Sequence, residues 1–195
     1  MALEGLKKYN LILASGSPRR HEFLKGMNLD FRIQLKEVEE VYDENLKHRD
    51  ITDFLAKLKA SVYTNLKAND LLITSDTIVW YKDKALGKPK DRDQAYAMLK
   101  TLSDDTHEVI SSVCFTNLNF QKTVHDITKV EFKALSDAEI YYYIDTYKPY
   151  DKAGGYGIQD WIGIIGVTKL EGSYNNVMGS PTHLVYKTLM CIANS

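Results

Sequence analysis

Two hydrophobic periods alternate along the chain, and they predict its elements. Tyr9 to Ala14, apolar apart from Asn10, reads as a buried strand, and Ser15-Gly16-Ser17 ends it. A helix is predicted from Pro18, because Ser17 suits the N-cap and proline suits the first helical position. Phe31 to Leu35 reads as a second short strand. Ile51, Leu55, Leu58, Val62 and Leu66 recur by threes and fours, predicting an amphipathic helix from near Asp50 to Lys67. Leu71 to Tyr81 is a long β-rich run with Asp76 and Thr77 in its middle. A helix over Asp91 to Leu102 follows, then β-rich runs at Glu108 to Phe120 and Thr123 to Phe132. Ser136 to Tyr147 reads as a helix with a capping box of Ser136 and Glu139. A glycine-rich stretch, Lys152 to Ile158, precedes a return to strand at Trp161 to Leu170, and a helix from near Pro181 to Ala193 closes the pattern. This alternation predicts an α/β fold with a mixed central β-sheet flanked by helices.

The 195 residues suit one domain, expected over 1–195. With 25 basic and 26 acidic residues the net charge is −1, which argues against bulk electrostatic binding of nucleic acid. Any anion site must be local, built from a few placed cations. No apolar run is long enough to span a membrane, and the stretch around Glu4 lacks the apolar segment of a secretory signal. Cys114 and Cys191 sit in apolar stretches and are expected to be reduced, buried thiols. The expected compartment is cytoplasmic, with no nucleic-acid or membrane partner.

Five segments could carry chemistry. Ser15-Gly16-Ser17-Pro18-Arg19-Arg20 runs from strand to small-residue loop to helix N-terminus. Free backbone N–H groups there, with two guanidinium groups, suit a phosphate, although an ordinary turn with surface arginines fits the pattern as well. Asp76 interrupts an apolar strand. It either faces solvent or is buried with a metal, lysine or arginine partner, because a buried carboxylate alone is costly. Lys88 lies in Gly87-Lys88-Pro89, as a phosphate cation or a solvated loop lysine. Glu37-Val38-Glu39-Glu40 is a hard-cation site or a solvated acidic loop. Asp151 to Gln159 is glycine-rich, which allows close backbone approach to a ligand, and the Gln159 amide can both donate and accept toward a base edge. The five histidines fall at no metal spacing and read as structural. Tyr141, Tyr142, Tyr143 and Tyr147 read as helix packing and interface, which suits a homodimer.

In their order along the chain, these segments resemble the Maf proteins, a family of nucleoside triphosphate pyrophosphatases. The resemblance rests on Leu13-Ala14-Ser15-Gly16-Ser17-Pro18-Arg19-Arg20, Ser75-Asp76-Thr77, Gly87-Lys88-Pro89, Thr106-His107-Glu108-Val109, Asp151-Lys152-Ala153-Gly154, Gly157-Ile158-Gln159 and Gly179-Ser180-Pro181. It implies a fold with a cleft between two lobes, and hydrolysis of a nucleoside triphosphate to monophosphate and pyrophosphate with a divalent cation, Mg²⁺ or Mn²⁺. It places the general base at Asp76, which can also hold the metal. The second metal carboxylate falls at Glu40, with Glu39 the alternative one residue away. Catalytic lysines fall at Lys59 and Lys88, and substrate contacts at Ser15, Ser17, Arg19, Arg20, Thr77 and Gln159. Arg19, Thr77 and Gln159 match the subfamily acting on dTTP and UTP, in a house-cleaning role. The alternatives are a 7-methyl-GTP-type pyrophosphatase and a non-catalytic nucleotide-binding regulator of cell division. Asp151-Lys152-Ala153-Gly154-Gly155-Tyr156 has glycine at 155 where the family usually has alanine.

Overall fold

The computed structural model describes residues 4–194. The chain forms two compact units. The first is made of residues up to Asp76, Ser111–Asp126 and the chain from Gly179, and the second of Thr77–Ile110 and Ile127–Met178.

In the first unit lie β1 (Asn10–Leu13), α1 (Pro18–Gly26), β2 (Phe31–Ile33), α2 (Arg49–Ser61) and α7 (Thr182–Ala193). In the second lie β4 (Lys84–Leu86), α3 (Arg92–Leu102), α4 (Asp137–Tyr147), α5 (Trp161–Gly166), β7 (Val167–Glu171) and α6 (Tyr174–Val177). Three long strands, β3 (Asp70–Tyr81), β5 (Thr106–Thr116) and β6 (Gln121–Phe132), contribute residues to both. The seven strands form one sheet in the order β2-β1-β3-β5-β6-β7, with β4 paired to β3. β1 runs parallel to β2 and β3, with Leu11 opposite Phe31 and Leu71, whereas β4 on β3 and β7 on β6 are antiparallel. The sheet is therefore mixed, as the alternation of periods predicts.

Burial on both faces explains the consecutive apolar residues Leu11 to Leu13 of β1 and Leu71 to Ile73 of β3. Leu11, Leu13, Leu71 and Ile73 point to one side, with Leu24, Phe115 and Leu189. Ile12 and Leu72 point to the other, against Ala56, Ala60 and Tyr63 of the α2 segment. The second unit has its own core, with Val79, Leu99, Leu102, Ile140, Tyr143 and Ile162 among its members.

Several boundaries differ from the sequence reading. The helix expected to reach Lys67 ends at Ser61. Past that point Tyr63 packs into the core and its hydroxyl donates to the Gln34 carbonyl at 2.6 Å, which pulls the chain off the helix axis. The stretch from Trp161 to Leu170 is not all strand: it opens with α5, and only from Val167 does it become β7. A short apolar run has no periodicity that separates helix from buried strand. Lys84–Leu86, to which the pattern assigns no element, is a strand paired to β3. Ser17 precedes α1 as expected, but its side chain makes no capping bond. The capping box of Ser136 and Glu139 is present. Cys114 is buried, whereas Cys191 is exposed on α7, and both thiols are free. Among the described residues no helix is long and apolar enough to cross a membrane.

Candidate active site

The first unit gathers several of the candidate residues. Asp76 keeps only 6% of its surface, although it sits in mid-strand. Its partner is Lys59 on α2, whose Nζ donates to Asp76 Oδ1 at 2.6 Å. The same ammonium lies 3.0 Å from Glu40 Oε2. Asp76 thus does not face solvent, and of the two neighbouring glutamates it is Glu40 that reaches Lys59. Removing either member of the buried Lys59–Asp76 pair would leave a desolvated charge behind.

Beside Asp76, the 15–17 loop is shaped by its own bonds. Ser15 Oγ accepts from Ser17 N at 3.2 Å and from Arg20 Nη1 at 3.3 Å. His21 Nε2 lies 2.6 Å from the Ser15 carbonyl oxygen, so the ring carries its proton on Nε2 and donates. Nothing in the sequence marks His21 for this role, because its partner is a backbone atom. Ser17 gives α1 no side-chain cap, and a helix N-terminus favours an anion. Arg20 donates to the carbonyls of Ser75 at 3.2 Å and Gly179 at 2.9 Å. Burial lowers its pKa, opposed by the charges of Asp76 and Glu40.

Asp76 and Glu40 also answer whether the residues fit a divalent cation. Two carboxylate oxygens converge on a single positive centre, the Lys59 ammonium. Hard cations such as Mg²⁺ take oxygen ligands and are commonly held by one or two carboxylates together with substrate phosphates. The donor set fits that chemistry. Among the described residues, no group of three or more His, Cys, Asp or Glu side chains gathers to hold a metal by protein alone.

The second unit holds Thr77, Lys88 and Gln159. Lys88 is exposed in the turn after β4. The Gly154 amide donates to the Gly87 carbonyl at 2.9 Å, so two of the sequence motifs meet backbone to backbone. Gly154 requires its glycine: φ is +68°, and a Cβ would lie 2.7 Å from Val79 Cγ2. The Gln159 segment is framed by a phenol. Tyr143 donates to Asp160 Oδ2 at 2.7 Å and accepts from the Gly157 amide at 3.0 Å. Burial and the Asp160 carboxylate push the Tyr143 pKa upward. Sequence reasoning placed Tyr143 only as packing, since its partners lie well ahead in the chain. Gln159 Oε1 is buried with no hydrogen-bond partner among the described residues, an acceptor open to a ligand's donor. A buried pair, His107 Nε2 and the Tyr156 hydroxyl at 2.7 Å, anchors the residue just before Gly157.

A profile of the family described as Maf-like protein matches residues 10–192. The chain belongs to the Maf-like family. Its relatives span nearly its full length. The dTTP/UTP pyrophosphatase of Flavobacterium johnsoniae is 59% identical over 190 residues, covering 97% of this chain and 98% of that protein. The dTTP/UTP pyrophosphatase of Christiangramia forsetii is 54% identical over 196 residues, covering all of both. That of Parabacteroides distasonis is 48% identical over 189 residues, covering 96% of this chain and 98% of that protein.

Proposed function

We propose that this Maf-like protein hydrolyses dTTP and UTP to the monophosphate and pyrophosphate in a metal-dependent reaction, acting on the nucleotide pool of the cytoplasm. The observation that carries the reading is the Lys59 ammonium held between Asp76 and Glu40. A ligand pocket without chemistry has little need for a buried carboxylate on a charged partner. Near full-length identity to proteins named dTTP/UTP pyrophosphatase supports the substrate class.

The reaction breaks the anhydride between the α- and β-phosphates. Water supplies the new oxygen on phosphorus, and its proton must go to a base. Asp76 takes that role, because its carboxylate is buried and hydrogen-bonded to the Lys59 ammonium. Lys59 holds the Asp76 carboxylate in one orientation. When bound at Asp76 and Glu40, a divalent cation supplies charge neutralisation at the phosphates and acidification of a water. The N-terminus of α1, the Ser15 and Ser17 hydroxyls and the Arg19 guanidinium bind the phosphates. Lys88, Thr77 and Gln159 take the roles the family resemblance gives them, Lys88 toward the phosphates and the other two toward the base. Uracil and thymine present an N–H donor beside a carbonyl acceptor, and one amide can satisfy both.

The test is a pyrophosphate-release assay on dTTP, UTP, CTP, GTP and 7-methyl-GTP with Mg²⁺ or Mn²⁺. Turnover of dTTP and UTP, with monophosphate appearing in step with pyrophosphate, is expected. Preference for 7-methyl-GTP moves the chain to the purine reading. Nucleotide binding with no turnover of any substrate moves it to a regulator.

A further inference from the structure

Gly157, Ile158, Gln159 and Asp160 form a turn that is closed at its ends. The Asp160 amide donates to the Gly157 carbonyl at 3.0 Å, which makes Ile158 and Gln159 the two central residues. Ile158 is buried in the core of the second unit. One phenol ties both ends of the turn a second time. Tyr143 on α4, fully buried, accepts from the Gly157 amide at 3.0 Å and donates to Asp160 Oδ2 at 2.7 Å. Asp160 stands at the N-cap of α5, where a carboxylate ordinarily accepts from the first turn of the helix, yet its side chain makes no capping bond. The carboxylate is turned to Tyr143 instead. Lys152 Nζ lies 3.8 Å from the same Oδ2 and bonds Asp151 Oδ1 at 2.8 Å. Gly157 fits the space between these groups: a Cβ there would lie 2.6 Å from Asp160 Oδ2 and 3.0 Å from Lys152 Cε.

A carboxamide carries an acceptor and a donor side by side, and half a turn about its last bond exchanges them. Uracil and thymine present an N–H beside a carbonyl, whereas cytosine presents a ring-nitrogen acceptor beside an amino donor. A loosely held glutamine therefore satisfies either kind of base, and only one whose main chain is fixed tells them apart. Gln159 Oε1 has no partner among the described residues, so that oxygen stands where the turn carries it. We propose that Tyr143 is a positioning residue for base selection: with Asp160 and Lys152 it locks the 157–160 turn, and this lock makes Gln159 prefer uracil and thymine to cytosine. The inference rests on the base-reading role proposed for Gln159. The lock also accounts for the cap that α5 forgoes, since the Asp160 carboxylate is engaged by Tyr143.

The test is a double-mutant cycle read as the ratio of kcat/KM for UTP over CTP. Tyr143→Phe keeps the ring and removes the hydroxyl. It is expected to lower the ratio by about fivefold or more, chiefly through a higher KM for UTP, because the amide no longer stands where uracil meets it. In a Gln159→Leu background the same substitution is expected to leave the ratio within about twofold, since residues that act as one unit share one effect. A Tyr143→Phe enzyme with native circular dichroism and the wild-type ratio overturns the proposal. So does an equal fall in both backgrounds, because Tyr143 then does not act through Gln159. A second measurement needs no variant. In the wild-type protein the Gly157 amide is expected to exchange with solvent about 10²-fold or more slowly than an unstructured glycine amide, and fast exchange overturns the lock. Gln159→Leu with the wild-type ratio overturns the base reading itself, and is told apart from a failure of the lock by the Gly157 amide, which stays protected.

Discussion

Lys59 Nζ lies 2.6 Å from Asp76 Oδ1, joining the last turn of α2 to the middle of β3. Seventeen residues separate the two in sequence, and neither is where composition alone would put an ion pair: Asp76 interrupts an apolar strand, and Lys59 follows Leu58 on an amphipathic helix. Asp76→Asn keeps the shape of the side chain and removes the base. It is expected to lower kcat by a factor of about 10² or more, the usual contribution of a general base. Steady-state turnover of dTTP by a variant with native circular dichroism checks this, and near-normal turnover rules out Asp76 as the base.

The same ammonium touches Glu40, so a divalent cation and Lys59 draw on the same two carboxylates. Chelation with EDTA is expected to abolish turnover, and Mg²⁺ or Mn²⁺ to restore it. Lys59→Met is expected to lower kcat and also to lower the metal concentration needed for half-maximal activity, because the competing cation is gone. A metal titration of wild-type and variant enzymes reads both effects. Full activity in EDTA is the outcome that removes the metal from the reaction.

Gln159 carries a buried amide oxygen with no partner among the described residues. Gln159→Leu keeps the bulk and removes both hydrogen-bonding atoms. The ratio of kcat/KM for UTP over CTP is expected to fall by about tenfold or more, since a site that hydrogen-bonds its ligand discriminates chiefly through those bonds. An unchanged ratio assigns base selection to other residues.

His107 is buried, and desolvation lowers its pKa from 6.5 to about 4. The unfolded chain therefore takes up a proton between these values that the folded chain refuses. The stability this histidine contributes is complete above pH 6.5 and is lost as the pH falls toward 4, by about 3 kcal/mol at most. Urea midpoints measured from pH 7.5 down to 4.5 are expected to fall, and to fall less steeply in His107→Gln. Parallel slopes in the two proteins would assign the acid sensitivity to other groups.

Gly154 combines a left-handed backbone with the side chain of Val79 pressed against it. Gly154→Ala is expected to destabilise the protein by about 2–4 kcal/mol, adding the overpacking cost to that of a positive φ. The expected readout is a melting temperature several degrees lower, and an unchanged one means that Val79 and the turn yield at no cost.

Local pattern was enough for much of this protein. The buried strands around Leu11 and Leu71, the start of α1 at Pro18 and the capping box at Ser136 were all legible, because each depends on residues close together in the chain. The order of motifs from Ala14 to Pro181 was enough to suggest the family, since each motif meets a requirement of backbone or charge that few residue types satisfy. Elements where the local signal is degenerate were not legible. α5 and a buried strand share the same apolar residues, and Gly163, where a Cβ would run into the Ile158 carbonyl oxygen, shows how tightly the chain turns there. Tertiary structure alone decided partnerships. It chose Glu40 over Glu39 for Lys59, gave Asp76 a lysine instead of solvent, and brought Arg20 to the carbonyls of Ser75 and Gly179. These are contacts between segments far apart in sequence. A side chain's type says what it can bond, but which atoms stand within 3 Å of it is set by how the whole chain packs.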